Sequence, residues 1–254
     1  MRLRSIKTSW VMTTKELLRN RVALVLLIVI PTLFYVLIVL TTTDRIIAFK
    51  LASISEATLF EVSEQKESLV FIGLAATGLI ASFLGLNFIQ KHADVDRRLV
   101  LCGYRPSDLI LAKLAVLLCV IIFIGCYVAV MMLLFFVPQH FVLVVLGFTL
   151  GGYVYGCYGL LVGTIFKREL EGILCIVLLA NIDAGWLQNP VYYLEAQNKM
   201  IIRFLPAYFP SQTSMVSAFT NHSTLNPLIG SLVYGSVLLL VALSIYWRRM
   251  NIKR

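Results

Sequence analysis

Charge is what this sequence has least of. Only 14% of its 254 residues are Asp, Glu, Lys or Arg, against about one quarter in an average soluble domain. Since 59% of the residues are hydrophobic, there is too little polar surface to cover a soluble fold of this length. Histidine is scarce as well. His92, His140 and His222 fall in loops between apolar runs and do not converge on one metal. There is no H-E-x-x-H, no G-x-S-x-G and no G-x-x-x-x-G-K-[ST] phosphate loop, so the chain offers no site for metal-assisted hydrolysis, for a serine nucleophile or for ATP held by that loop. Five cysteines occur (Cys102, Cys119, Cys126, Cys157 and Cys175), none at metal-ligand spacing and four inside apolar runs. They read as small apolar packing residues and imply no disulfide framework.

What is present is apolar sequence in long blocks. About 20 predominantly apolar residues cross the hydrocarbon core of a bilayer. Six such runs are found, at about 22–40, 69–89, 111–137, 141–166, 172–188 and 227–247. They leave no room for a separate soluble domain, so residues 1–254 read as one transmembrane domain of an all-α membrane protein. The first run contains Pro31 and is too long for a cleavable signal, and no A-x-A-like site follows it. The fifth is the shortest and contains Asp183.

The net charge of +9 would suggest nucleic acid in a soluble protein. Here the basic residues flank the apolar runs, and orientation in a membrane is the better reading. Segments 1–21, 90–113, 167–171 and the tail after span 6 hold seventeen Lys and Arg; the loops on the other side hold five, Arg45, Lys50, Lys66, Lys199 and Arg203. The positive-inside rule then predicts a multi-pass protein of the plasma (inner) membrane with both termini in the cytoplasm.

The loops carry further signals. In 1–21, Ile6, Trp10, Leu17 and Leu18 fall near helical spacing, with Lys7, Lys15 and Arg19 off that face, which predicts an amphipathic helix lying in contact with membrane lipid. Outer segment 41–68 is acidic (Asp44, Glu56, Glu61, Glu64, Glu67) and is expected to be a short helix or a mobile loop. Outer segment 189–226 mixes aromatic and apolar residues with Pro190, Pro206 and Pro210. It is expected to dip toward the membrane, with one short helix over 211–220 capped by Ser211.

Three places are candidates for function. Asp183, in Asn181-Ile182-Asp183-Ala184-Gly185-Trp186, is the only ionisable residue well inside a predicted span; charges in the bilayer are costly and usually face a cavity or a partner. It sits toward the outer end of its run, where a helix cap or an interfacial contact also accounts for it. Span 4 carries glycines at 147, 151, 152, 156, 159 and 163, which let helix backbones approach closely. Tyr153, Tyr155 and Tyr158 interleave with them, so that Asp183, Asn181, Tyr155 and Tyr158 form a candidate substrate path. The third place is the loop from Lys91 to Lys113. Its charged half leads into an apolar ridge of Leu99, Val100, Leu101 and Tyr104; Gly103 can end a helix, and Ser107 or Asp108 can cap the next. A short helix, a turn and a helix running straight into span 3 are predicted.

At this loop the chain resembles the permease subunits of ABC-2 type transporters. The matching residues are an acidic-basic stretch, then Leu101-Cys102-Gly103-Tyr104-Arg105-Pro106-Ser107, then Leu109 and Ala112-Lys113 opening the third span. The resemblance implies that the loop is a cytosolic coupling helix seated on a separate ATPase subunit, with Arg97, Arg98, Leu101, Gly103, Tyr104, Arg105 and Lys113 at or near the contact and Arg105 foremost. It implies that the Ser5–Arg19 stretch is an elbow helix and that the segment with Leu205-Pro206 and Pro210 forms re-entrant outer helices between spans 5 and 6. It implies two permease copies, as a homodimer or a heterodimer. ATP and Mg would be bound by the partner ATPase, so that this chain is a transport subunit, binds no cofactor of its own and is not an enzyme. The expected activity is ATP-driven export of a lipophilic or amphipathic cargo such as a drug, peptide or lipid. Two other classes stand beside it: a non-transporting immunity or assembly partner, and a proton-coupled transporter that titrates Asp183.

Overall fold

In hydrocarbon the backbone N–H and C=O groups find no partner but each other, so long apolar runs close into helices. The computed structural model describes residues 2–49, 51, 60–91 and 93–251. The elements in chain order are α1 (Arg2–Arg19), α2 (Arg21–Thr41), β1 (Ile46–Phe49), β2 (Phe60–Ser63), α3 (Glu64–Gln90), α4 (Ala93–Leu101), α5 (Pro106–Met132), α6 (Phe141–Ile165), α7 (Glu169–Ile182), α8 (Pro190–Glu195), α9 (Lys199–Arg203), α10 (Tyr208–Phe219) and α11 (Leu225–Asn251). One π-helical turn, Asp183–Leu187, continues α7. Six of these helices are long and apolar enough to cross a membrane: α2, α3, α5, α6, α7 with its π turn, and α11. The chain is a multi-pass, helical membrane protein.

The six spans match the six apolar runs, with one shift of register. Span 3 begins at Pro106 and ends at Met132, earlier than the predicted 111–137 at both ends. Pro106 stands at the first helical position, where its missing N–H costs nothing. Arg105, in an extended conformation, occupies the cap position, so neither Ser107 nor Asp108 is the cap. At the other end the chain turns over Leu133–Phe135. Pro31 lies inside α2 and is buried there without ending the helix.

Two segments between spans differ from expectation. Segment 41–68 is expected as a short helix or a mobile loop; its described part holds an antiparallel strand pair, β1 against β2, in register from Ile46 opposite Ser63 to Phe49 opposite Phe60, followed by the first residues of α3, while Glu56 lies outside the described residues. The side chains of Arg45 and Glu64 pair beside it. Segment 189–226 holds three short helices. Its helix α10 starts at Tyr208 after Ala207, so Ser211 lies inside it, and the Ser211 hydroxyl donates to the Tyr208 carbonyl at 3.0 Å.

Helix α10 is almost entirely buried and lies along the first half of α6. The Gln139 and His140 N–H groups donate to the Ala218 and Ser217 carbonyls, which places the C-terminal end of α10 at the start of α6. A Cβ added at Gly147 would meet Ser214, and one at Gly151 has Pro210 at 3.7 Å. The N-terminal end of α10 is therefore the deeper end.

Helix α6 is also the partner of α3 over most of its length. A Cβ at Gly159 would strike the Ser82 carbonyl, one at Gly85 would come within 2.5 Å of the Gly156 carbonyl, and one at Gly163 has Ile89 and the Leu86 backbone within 3.4 Å. These glycines pack helices of the same chain. With no hydrophobic drive between helices in lipid, such close backbone approach is what dispersion contact requires.

Candidate functional site

One end of the bundle, the basic end, carries α1, α4, the start of α5 and the C-terminal end of α11, and most of the basic residues fall in these segments. Helix α4 is nine residues long. It closes with the Gly103 N–H on the Val100 carbonyl and the Tyr104 N–H on the Leu99 carbonyl, both at 3.0 Å. Gly103 has φ +95°. This is the double C-terminal bond of a Schellman cap, whose left-handed residue is best served by glycine.

The inward side of α4 holds Asp96, which is buried. Its Oδ2 accepts from Lys113 Nζ of α5 at 2.5 Å and from the Tyr246 hydroxyl of α11 at 3.1 Å. Lys113 Nζ also donates to the Phe88 carbonyl of α3 at 2.9 Å. Buried charges are tolerated when paired and hydrogen-bonded, and here three helices supply the partners of one carboxylate and its ammonium. The outward side is different. Val95, Arg98, Leu101, Cys102, Gly103 and Arg105 are exposed, with Leu101 at 85%. Leu99, Val100 and Tyr104 are half-buried. The Arg97 side chain lies outside the described residues.

Lys113 thus differs from the other residues assigned to this loop. It is two turns inside α5, buried, and turned toward Asp96 instead of outward. It is assigned to the contact only by the family resemblance, which places Ala112-Lys113 at the opening of span 3. Asp96 and Tyr246 were not singled out from the sequence at all. Tyr246 lies 150 positions from Asp96, and no spacing rule joins them.

A second polar knot is centred on Asp183, the first residue of the π turn and fully buried. Its carboxylate accepts from the Tyr155 hydroxyl at 2.7 Å, from Gln188 Nε2 at 2.9 Å and from the Ala207 N–H at 2.7 Å. Gln188 Nε2 also donates to the Ile202 carbonyl at 3.2 Å, and the Ser211 hydroxyl reaches Gln188 Oε1 at 3.4 Å. Asp183 therefore ties α7, α6 and the entry to α10 together. At 1.5 Å rise per residue, Tyr155 stands about 21 Å along α6 from Phe141. Asp183 is thus level with the middle of α6, deeper than its sequence position near the end of an apolar run suggests.

Of the four candidate path residues, Asp183 and Tyr155 meet directly. Tyr158 touches Tyr155 edge to face, with centroids 6.4 Å apart, and its hydroxyl lies 3.3 Å from the Cys175 sulfur. Asn181 is exposed and donates to the Val177 carbonyl of its own helix at 2.8 Å; it is not among the partners of Asp183. Gln188, missed in the sequence, is the fourth member of the knot. Among the described residues no group of three or more His, Cys, Asp or Glu is placed to hold a metal ion.

Neither a family model nor a curated protein matches this chain.

Proposed function

We propose that this chain is the membrane-spanning subunit of an ATP-driven exporter of the ABC-2 permease type, set in a plasma membrane with its basic end and both termini in the cytoplasm. In this reading α1 is an elbow helix in the interface and α4 is the coupling helix on which a separate ATPase subunit seats. Helices α8 to α10 re-enter from the outer side. The observation that carries the reading is the two-sided construction of α4. Its inner side is tied through Asp96 to α5 by Lys113 and to α11 by Tyr246, while Arg98, Leu101 and Arg105 stay exposed. A load applied to the outer side is thereby delivered to two spans at once. Switching between inward and outward access needs such a discrete two-state element. Two copies of the chain would pair, each with its ATPase, and the apolar spans suit a lipophilic or amphipathic cargo.

Three donors on Asp183, one of them a backbone N–H, favour a structural tie over a proton carrier, and so favour ATP as the driving force.

The test is purification of the full chain from its native membrane in mild detergent, with ATP hydrolysis measured in the eluate. The wild-type chain is expected to retain an ATPase, and Arg105→Glu to lose it while keeping its elution volume. An eluate with no ATPase from the wild type would reject the exporter reading. Equal ATPase retention and equal export in Arg105→Glu would remove Arg105 from the contact.

A further inference from the structure

An apolar groove of about 420 Å³ runs between α1, α2 and α5 at the basic end. Trp10, Leu17 and Leu18 of α1 form one wall, Leu24 and Leu27 of α2 a second, and Phe123 of α5 closes the far side. Its size falls within the range of about 300–1,000 Å³ usual for sites that hold one small molecule. The only hydroxyl on its lining, that of Thr14, is spent on the Trp10 carbonyl at 2.8 Å, which leaves the Trp10 indole N–H and the Cys119 thiol as the polar groups of an otherwise apolar wall. Its rim is the opposite. Lys7 lies one turn before Trp10 and Arg21 one turn before Leu24, each on the lining face of its helix, with Lys15 beside that face of α1 and Glu16 and Arg19 on the far side. Lys7, Lys15 and Arg21 are exposed, and none of them forms an ion pair with another described residue.

An apolar trough with a cationic rim matches one class of molecule in a membrane: an anionic phospholipid, one acyl chain in the groove and the phosphate among the basic side chains. Zwitterionic lipid satisfies the trough but not the rim. A second copy of this chain would bring the same positive charge to the rim and be repelled by it. We infer that the α1–α2–α5 groove is a binding site for an anionic phospholipid, which fixes α1 against the bundle. The site depends on α1, α2 and α5 lying in a membrane and not on the exporter reading.

Trp10 on the wall supplies the probe. The full chain carrying Trp186→Phe and Trp247→Phe, with Trp10 as its only tryptophan, is reconstituted into phosphatidylcholine vesicles holding a minor fraction of phosphatidylglycerol. The bromine label is placed on the acyl chains of one lipid or of the other. At equal bromine density, brominated phosphatidylglycerol is expected to quench Trp10 more strongly than brominated phosphatidylcholine. Each basic group near a membrane surface adds roughly fivefold to the attraction for anionic lipid, so Arg21→Gln should lower the preference about fivefold and Lys15→Gln/Arg21→Gln further. Equal quenching by the two lipids in the unaltered rim would overturn the inference, leaving ordinary surrounding lipid. Quenching by neither would also overturn it, since protein would then cover the groove. The comparison of the two lipids needs no rim variant, so a poorly folding substitution leaves it decisive.

Discussion

The ammonium of Lys113 stands 2.5 Å from the carboxylate of Asp96, both buried, across the turn that joins α4 to α5. With Tyr246 and the Phe88 carbonyl as further partners, this pair binds a surface helix into the bundle.

Breaking the pair from one side leaves an uncompensated buried charge, which costs about 3–5 kcal/mol. Lys113→Met and Asp96→Leu are each expected to lower the thermal unfolding midpoint of the detergent-solubilised chain substantially. The double variant should recover much of the loss, because two apolar groups then meet. Tyr246→Phe removes one bond to a charged acceptor and should cost about 2 kcal/mol. A double variant whose loss equals the sum of the two single losses would show that the two side chains act independently.

Asp183→Asn keeps the shape of the side chain but replaces one acceptor oxygen by a donor amide facing donors. A loss of about 1–3 kcal/mol is expected from the unsatisfied groups, read as earlier proteolysis in the 189–207 segment and a lower unfolding midpoint. Tyr155→Phe should follow in the same direction with a smaller effect. In the folded fraction of Asp183→Asn, export is expected to persist and to fail on ATP depletion at constant proton gradient. Export that stops in Asp183→Asn but survives ATP depletion would revive the proton-coupled alternative.

Glycine substitutions separate packing from conformation. Gly159→Ala places a methyl against the Ser82 carbonyl, where neither backbone can yield, and overpacking of this kind costs about 1–3 kcal/mol. Gly185→Ala meets nothing closer than the Ala180 carbonyl at 3.5 Å and should be neutral or slightly stabilising in its helical turn. Unfolding midpoints of the two variants, measured side by side, are expected to move apart.

Gly103→Ala is a third case. No atom lies within 4 Å of the added methyl, so the whole cost is the left-handed backbone, about 1–2 kcal/mol. The expected effect is local: faster amide exchange at Gly103 and Tyr104, whose N–H groups close α4, with little change in the global midpoint. A large global loss would mean that the α4 cap supports the bundle.

The spans were legible in the sequence because about 20 apolar residues in a row have few other uses. Their ends were less so. Lys113 was linked to the coupling contact by resemblance alone; its counter-charge on Asp96 sits in a different helix, and that pairing exists only after folding. The strand pair of Ile46–Phe49 and Phe60–Ser63 was missed because four residues per strand, those of the first all apolar, give no alternation to recognise beside an acidic stretch. Gly103 was read correctly, as its role is local. The depth of Asp183 was not readable, because it depends on where α10 packs along α6 and not on distance from a run's end.

The close seam between α3 and α6 has a mechanical consequence. Gly85 and Gly159 bring backbone against backbone there, and at those points there are no rotamers to rearrange. The pair behaves as a fixed post. By contrast α2, α7 and α11 expose most of their surface outward and hold to the centre through a narrow apolar face each and through polar pins, Asp183 and Tyr246 among them. In the proposed exporter, the outer helices are the ones free to swing about this post, with the pins limiting their travel.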